Sequence, residues 1–143
     1  MSLREITKDT VGDILDLQVA PGQEHFVASN AVSIAQAYFA PEAWFRGIYA
    51  DDTPVGFIML SDIPEAPEYF LWRLMIAANH QGKGYGKRAV KLLVEYVRTR
   101  PGAKELLVSY VPGEGSPGDF YRKLGFVETG AMDGEEVVMR LGV

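Results

Sequence analysis

The sequence predicts a mixed α/β domain in which helices cover the faces of a central sheet. Apolar runs of strand length alternate with segments whose apolar residues recur at helical spacing, and Gly, Pro and Asp separate them. Turn residues at positions 51–54 and 132–135 each lie between two apolar runs, which predicts two hairpins. Hairpins join antiparallel strands, so much of the sheet is expected to be antiparallel.

The N-terminal third is predicted to contain one strand and two helices. Residues 3–6 suit a first strand, and Asp9 or Thr10 can cap a helix that ends at Pro21. A second helix is predicted over residues 27–39, because its apolar positions recur at a spacing of three and four residues. The connection between these helices is polar and contains Gln and Glu.

The rest of the chain is predicted to complete the sheet. Strands at 44–49 and 55–60 flank the first turn, and a strand at 69–76 leads into a glycine-rich loop. The helix that follows has an apolar side for the sheet and a charged side for solvent. The last predicted elements are a strand at 105–110, a short helix over 120–124 and the closing hairpin.

Length, charge and composition exclude several functional classes. A chain of 143 residues with 48% hydrophobic content suits one domain over residues 1–143. It contains no apolar run of membrane-spanning length and no secretion leader, so we expect a soluble, cytoplasmic protein without a membrane partner. A net charge of −5 disfavours a nucleic-acid partner and favours a cationic one. With no cysteine and two histidines, no metal site is predicted. The oligomeric state stays open, with a homodimer as one option.

The glycine-rich loop is the strongest functional signal. Its sequence is Gln81-Gly82-Lys83-Gly84-Tyr85-Gly86. Glycines at alternate positions let the main chain turn sharply and bring its N–H groups close to a ligand. At a helix N-terminus such donors favour an anion such as a pyrophosphate. The spacing fits neither the Rossmann nor the Walker phosphate-binding motif.

A second motif makes this signal specific. The loop reads Gln-x-x-Gly-x-Gly, and Phe120-Tyr121-Arg122-Lys123-Leu124-Gly125-Phe126 follows after one more strand. This pair of motifs, covering roughly residues 44–140, resembles the GNAT superfamily of acyl-CoA-dependent N-acetyltransferases. The resemblance implies a mixed, mostly antiparallel twisted sheet of six to seven strands with about four helices. It also implies a splayed pair of strands where acetyl-CoA binds.

Cofactor-binding residues follow from the resemblance. In the family, backbone groups of the strand before the loop bond the pantetheine arm, and backbone N–H groups of the loop hold the pyrophosphate. Lys87 or Lys91 can reach the outer phosphate of the cofactor. The predicted acetyl-CoA-binding residues are Leu74, Met75, Ile76, Gln81, Gly82, Lys83, Gly84, Tyr85, Gly86 and Lys87.

Tyr121 is the predicted catalytic residue. Acetyl transfer to an amine requires an unprotonated nucleophile, stabilisation of the developing oxyanion and protonation of the departing thiolate. The resemblance assigns the last task to Tyr121, whose phenol can donate a proton to a thiolate. A tyrosine packed in the core, with its hydroxyl bonded locally, is the structural alternative.

The acceptor site is predicted from a narrower resemblance. Gln23-Glu24-x-Phe26-Val27 and Leu71-Trp72-Arg73-Leu74-Met75-Ile76 are similar to segments of bacterial spermine and spermidine acetyltransferases. Glu24 is the predicted amine-binding carboxylate, with water as the route for deprotonation. Trp72 is the predicted aromatic contact, and Trp44 or Tyr69 are alternatives for the methylene chain.

Several questions stay open on the sequence alone. Glu68 is an alternative to Glu24, and Glu114 occupies a position where many relatives have Asn. Arg73 lies in an apolar strand and must find a partner or reach solvent. Instead of a polyamine, the acceptor can be an aminoglycoside, an amino acid or a protein N-terminus. A catalytically silent acyl-CoA sensor is the alternative outside the enzymes.

Overall fold

A computed structural model describes all residues from Met1 to Val143. It contains one seven-stranded sheet and four α-helices. The elements are β1 (Ser2–Arg4), α1 (Val11–Leu15), α2 (Asn30–Tyr38), β2 (Ala43–Ala50), β3 (Thr53–Ile63), β4 (Glu68–Ile76), a 3-10 turn (Ala78–His80), α3 (Tyr85–Arg98), β5 (Glu105–Tyr110), α4 (Gly118–Lys123), β6 (Val127–Asp133) and β7 (Glu136–Gly142). The longest helix, α3, has 14 residues, and none has the length and apolar character needed to cross a membrane.

The sheet has the strand order β1-β2-β3-β4-β5-β7-β6. All neighbouring strands are antiparallel except β4 and β5, which run parallel and are joined through α3. This topology confirms the predicted mixed, mostly antiparallel sheet with about four helices. A parallel pair needs a crossover connection, and α3 supplies it.

Several predicted boundaries were wrong by one to three residues, and the first helix ends at Leu15, well before the predicted end at Pro21. The second helix begins at Asn30 rather than at residue 27, because extended Ser29 is its N-cap and accepts a hydrogen bond from the Val32 N–H. The first strand is Ser2–Arg4 rather than 3–6. The last helix begins at Gly118 rather than 120, with Pro117 as its N-cap. Helical spacing of apolar residues locates a helix but does not fix its first turn.

Two apolar clusters lie on opposite faces of the sheet. The larger one joins α3 to the central strands through fully buried residues such as Leu93, Leu60 and Met139. The smaller one joins α1 to β2, β3 and β4, and contains Ile14 and Phe57. Residues of α2 pack against its border. The two sets of helices therefore cover the two faces of one sheet.

The parallel strands β4 and β5 separate soon after they meet. Only two pairs join them, Phe70 with Leu107 and Leu71 with Val108. Beyond Leu71 the β3–β4 pairing contains a bulge, because Leu71 and Arg73 face successive residues of β3 and Trp72 has no partner there. A bulge bends a strand and increases its twist. This confirms the predicted splayed pair, and the rest of β4 borders an open cleft.

Candidate active site

A cavity of about 880 Å³ opens where β4 and β5 separate. This volume lies within the range of small-molecule binding sites. Its walls come from the end of β4, the glycine loop with the first turn of α3, the end of β5 with the following loop and α4, and the α1–α2 connection. All predicted site residues line it except Lys83.

The glycine loop forms one end of the cavity. Gly82 and Gly84 both have positive φ, at 79° and 80°, and a Cβ at either position would meet no atom within 4 Å. Their backbone conformation, rather than crowding, therefore explains why glycine stands there. Gly84 is the N-cap of α3, whose first N–H groups have no partners within the helix. This end of the cavity is suited to an anion.

Gln81 fixes the loop to both neighbouring walls. Its side-chain Nε2 donates to the carbonyl oxygen of Ile76 and to Oε1 of Gln23, each at 2.9 Å. Gln23 Nε2 lies 3.4 Å from Oε1 of Gln81, so the two amides form a reciprocal pair. The glycine loop is thus tied to the end of β4 and to the α1–α2 connection.

Replacing Gln81 with Ala is expected to raise the KM for acetyl-CoA about fivefold to tenfold. The variant loses the three side-chain hydrogen bonds that hold the loop, and a loss of about 1–1.4 kcal/mol in acetyl-CoA binding corresponds to this change. Steady-state kinetics with varied acetyl-CoA measure the change. Gln18→Ala is the matched control, because Gln18 is exposed and lies outside the cavity wall. Equal KM values for the two variants would show that Gln81 does not organise the loop.

The end of β4 presents backbone groups to the cleft. The N–H of Ala77 donates to the Val55 carbonyl at 2.8 Å, so Ala77 bonds toward β3. Backbone groups alternate in direction along a strand, so those of Leu74 and Ile76 point the opposite way, to the edge that β5 leaves open. An extended polar arm can pair with such an edge as an added strand does. Of the three strand residues predicted to bind the cofactor, Leu74 and Ile76 therefore direct their backbone groups to the cleft, where the Ile76 carbonyl bonds Gln81, while the backbone groups of Met75 face β3.

Tyr121 projects from α4 into the same cavity. Its side chain is 6% exposed and is held between Phe120 and Phe126, with edge-to-face ring contacts at 5.2 and 5.5 Å. Its hydroxyl has no hydrogen-bond partner in the protein, which is also true of buried Tyr49, whereas the hydroxyls of buried Tyr69 and Tyr110 each have at least one. Burial raises the pKa of the Tyr121 phenol above its usual value of 10.0. The group is therefore a protonated donor that is free to bond a ligand.

Glu24 and Trp72 also line the cavity. Glu24 is exposed, and its Oε2 accepts a hydrogen bond from the Gly22 N–H at 2.9 Å. Trp72 is half-buried at the bulge of β4 and packs beside the smaller apolar cluster. A carboxylate and an aromatic ring thus both line the cavity, and the Arg73 guanidinium lies 5.8 Å from the centre of that ring.

Other residues considered from sequence lie elsewhere. Trp44 stacks on Tyr96 at 4.4 Å on the α3 side of the sheet, and Tyr69 is 1% exposed with its hydroxyl bonded to the Pro101 carbonyl. Both are structural, so the alternative that they line a ligand site was wrong. Glu68 and Lys91 do not reach the cavity wall. Glu114 lines a separate cavity of about 370 Å³ in the loop before α4.

Three polar cavity residues were not assigned a role from sequence. Arg73 donates to Gln36 Oε1 at 3.0 Å and to the Trp72 carbonyl at 3.0 Å, while its buried Nε has no partner. Burial lowers the pKa of Arg73, and the nearby Glu136 carboxylate raises it in part. Ser109 donates to Glu136 Oε1 at 3.2 Å. The sequence signals for these residues are a charged residue, Arg73, and a polar residue, Ser109, each within an apolar strand.

Comparisons with known proteins agree with this geometry. The family model described as "Acetyltransferase (GNAT) family" matches residues 12–126. The curated "Spermine/spermidine N(1)-acetyltransferase" of Bacillus subtilis strain 168 is 28% identical over 152 aligned positions, covering 98% of this chain and 97% of that protein. The family match includes β4, the glycine loop, α3 and Tyr121.

Two solved structures share the fold. The PaiA N-acetyltransferase from Thermoplasma acidophilum, crystallised with coenzyme A, superposes with a TM-score of 0.62 at 25% identity. The alignment covers 80% of this chain and 68% of that one. The GNAT domain of S. lividans PAT superposes over 99% of this chain and 89% of its own, with a TM-score of 0.80 at 12% identity. At that identity the second likeness concerns the fold alone.

Proposed function

The chain belongs to the GNAT acetyltransferase family, and we propose that it transfers the acetyl group of acetyl-CoA to a primary amine of a polyamine. The observation that carries the proposal is the junction of three features in one cavity. These are the open edge of β4, the N-terminus of α3 behind the glycine loop, and the unpaired hydroxyl of Tyr121. We further propose that residues 1–143 act as one catalytic domain.

The residues of the cavity fit acetyl-CoA in separate ways. Leu74 and Ile76 offer backbone groups to the pantetheine arm, and the loop from Gln81 to Gly86 offers N–H groups to the pyrophosphate. Lys87 is exposed at the first turn of α3 and can approach a phosphate. When bound, acetyl-CoA supplies an acyl group on a good leaving thiolate.

One of the chain's own residues accounts for protonation of the departing thiolate. Tyr121 holds a proton where the thiolate departs, so it acts as the general acid. The walls formed by Trp72, Phe26 and Phe120 restrict water at the reacting carbonyl. The acceptor amine loses its proton through water and attacks the thioester carbonyl directly, with no covalent enzyme intermediate.

A polyamine is the acceptor class that the cavity favours. Glu24 supplies negative charge at the α1–α2 connection, and Trp72, whose ring already has the Arg73 guanidinium at 5.8 Å, supplies an aromatic face for a methylene chain. The net charge of −5 attracts a polycation over a longer range. The Bacillus subtilis relative carries the name of a spermine/spermidine acetyltransferase and aligns over nearly the whole chain.

A thiol-release assay with acetyl-CoA tests the proposal directly. The amine panel should contain spermidine and spermine beside aminoglycosides, amino acids and short peptides. Selective turnover of the polyamines is expected. Turnover of another amine class would support acetyltransferase activity and reject a polyamine as the acceptor. Tight binding of acetyl-CoA without turnover of any amine would favour the sensor.

Replacing Glu24 with Gln is expected to raise the KM for spermidine about threefold to tenfold, with little change in the KM for acetyl-CoA. The effect is modest because Glu24 is exposed and solvent screens its charge. Gln can still accept the hydrogen bond from Gly22, so the local turn is preserved. Steady-state kinetics with varied spermidine measure the effect. Glu65→Gln, in the exposed β3–β4 turn, is the control and should behave as wild type.

A further inference from the structure

A second carboxylate, that of Glu136, stands on the cavity wall close to the point where the strands separate. Glu136 begins β7 and bonds Ser109 of β5. Ser109 directly follows Val108, the last β5 residue that pairs with β4. Glu136 therefore lies near the base of the cleft, whereas Glu24 lies on the α1–α2 connection.

The side of the sheet that Glu136 occupies follows from strand alternation. Val137 and Met139 pack into the large cluster beneath α3, as do Val108 and Tyr110. Successive side chains of a strand point to opposite faces. Glu136 and Ser109 therefore point to the face covered by α1 and α2. Arg73 lies on this face too, because it bonds Gln36 of α2.

Most of the bonding capacity of Glu136 is unused. An ionised carboxylate has about four acceptor positions, and Ser109 fills one of them. No salt bridge reaches Glu136, and Arg73 forms none either. Both charged side chains nevertheless line the same cavity. Arg73 interacts with Glu136 electrostatically but forms no ion pair with it, so the unused acceptor positions of this half-buried carboxylate are suited to a cation that comes with the ligand.

We propose that Glu136, held in place by Ser109, binds an ammonium group of the acceptor at the base of the cleft. The Glu136 carboxylate offsets the repulsion between Arg73 and this first ammonium, whereas a second ammonium near Arg73 would have no such counter-charge, and like charges repel strongly in a partly desolvated site. A longer polycation must then extend its other ammonium groups away from Arg73, along the cavity toward Glu24. This assignment rests on the proposed amine acetylation and adds an acceptor-binding residue to it.

The test compares Glu136→Gln with Glu135→Gln. Glu135 is the neighbouring residue in the turn; it is exposed and lies outside the cavity, so it is a matched control for charge. With spermidine, or with whichever amine of the panel the wild type acetylates best, Glu136→Gln should lower kcat/KM about tenfold to a hundredfold. The KM for acetyl-CoA and the Tm should stay near wild type. Glu136→Asp should recover part of the loss.

Each outcome separates this inference from the proposed function. If wild type acetylates polyamines and both Gln variants match it, Glu136 is not an acceptor-binding residue and the polyamine proposal stands. If another amine is the substrate and Glu136→Gln impairs its use selectively, the Glu136 assignment stands and the polyamine proposal falls. Loss of acetyl-CoA affinity or of Tm in Glu136→Gln would indicate a structural role and overturn the assignment. If wild type acetylates no amine and spermidine does not bind the CoA-loaded protein by calorimetry, both proposals fall.

Discussion

Replacing Tyr121 with Phe is expected to lower kcat about a hundredfold to a thousandfold, with acetyl-CoA affinity nearly unchanged. The substitution removes one hydroxyl and keeps the ring between Phe120 and Phe126. The hydroxyl has no hydrogen-bond partner in the protein, so its loss should not disturb the fold. Thiol release under saturating substrates measures kcat, and calorimetry measures the affinity for acetyl-CoA.

Tyr69→Phe is the matched control for this variant. Tyr69 is also buried, but its hydroxyl bonds the Pro101 carbonyl on the α3 side of the sheet, away from the cavity. It should lose about 1 kcal/mol of unfolding free energy and keep its turnover. Wild-type kcat in Tyr121→Phe would show that Tyr121 is a packing residue and not the general acid.

The pH dependence of turnover near neutral pH should show no titration of Tyr121. Burial raises the pKa of this phenol in the folded chain, so it stays protonated through the range in which amines are acetylated. Because the pKa of Tyr121 is higher in the folded chain than in the unfolded chain, the contribution of its protonation to folding stability is fully present below the unfolded pKa. It is lost as pH rises toward the folded pKa. Loss of activity with falling pH instead reflects protonation of the acceptor amine.

The largest effect on stability is expected at Gly56, which packs against β4 at the border of the cofactor cleft. An added Cβ would overlap the carbonyl oxygen of Met75 and crowd the side chain of Ile76. Backbone cannot move aside as a side chain can, so β4 must shift. Gly56→Ala should lower the free energy of unfolding by about 2–3 kcal/mol. It should also raise the KM for acetyl-CoA, because Met75 and Ile76 form the cleft edge.

Urea unfolding and acetyl-CoA kinetics measure these two effects. Gly12→Ala is the control, since Gly12 lies in α1 and an added Cβ there meets nothing within 4 Å. It should be neutral or slightly stabilising, as Ala favours a helix over Gly. Wild-type stability in Gly56→Ala would mean that the close approach of β3 and β4 at this point is easily relaxed.

The strands, α3 and the glycine loop could be predicted from sequence because local signals specify them. The 105–110 strand was located at its observed bounds, and Gly84 is the N-cap of α3, where the glycine loop predicted a helix to begin. The bulge at Trp72 could not be predicted, because it arises from the pairing of β4 with β3 and leaves no local mark.

The acceptor side of the site could be predicted less well for the same reason. Glu136 and Ser109 are 27 positions apart in the sequence. They meet because β7 lies beside β5 in the sheet. In the sequence it is one of several acidic residues near a turn. Glu24 lies beside motif residues in the sequence, which makes it a candidate, whereas the position of Glu136 at the cleft follows only from the tertiary structure.

Because only two residue pairs join β4 to β5, the sheet is weakly connected at this point. On one side, β1 to β4 form a continuous antiparallel ladder, and on the other β5, β7 and β6 form a second. The two ladders share few backbone hydrogen bonds, so their alignment depends on the apolar cluster beneath α3 and on the α3 crossover itself. The width of the cleft is thus set by side-chain packing, and core substitutions far from any ligand can change it.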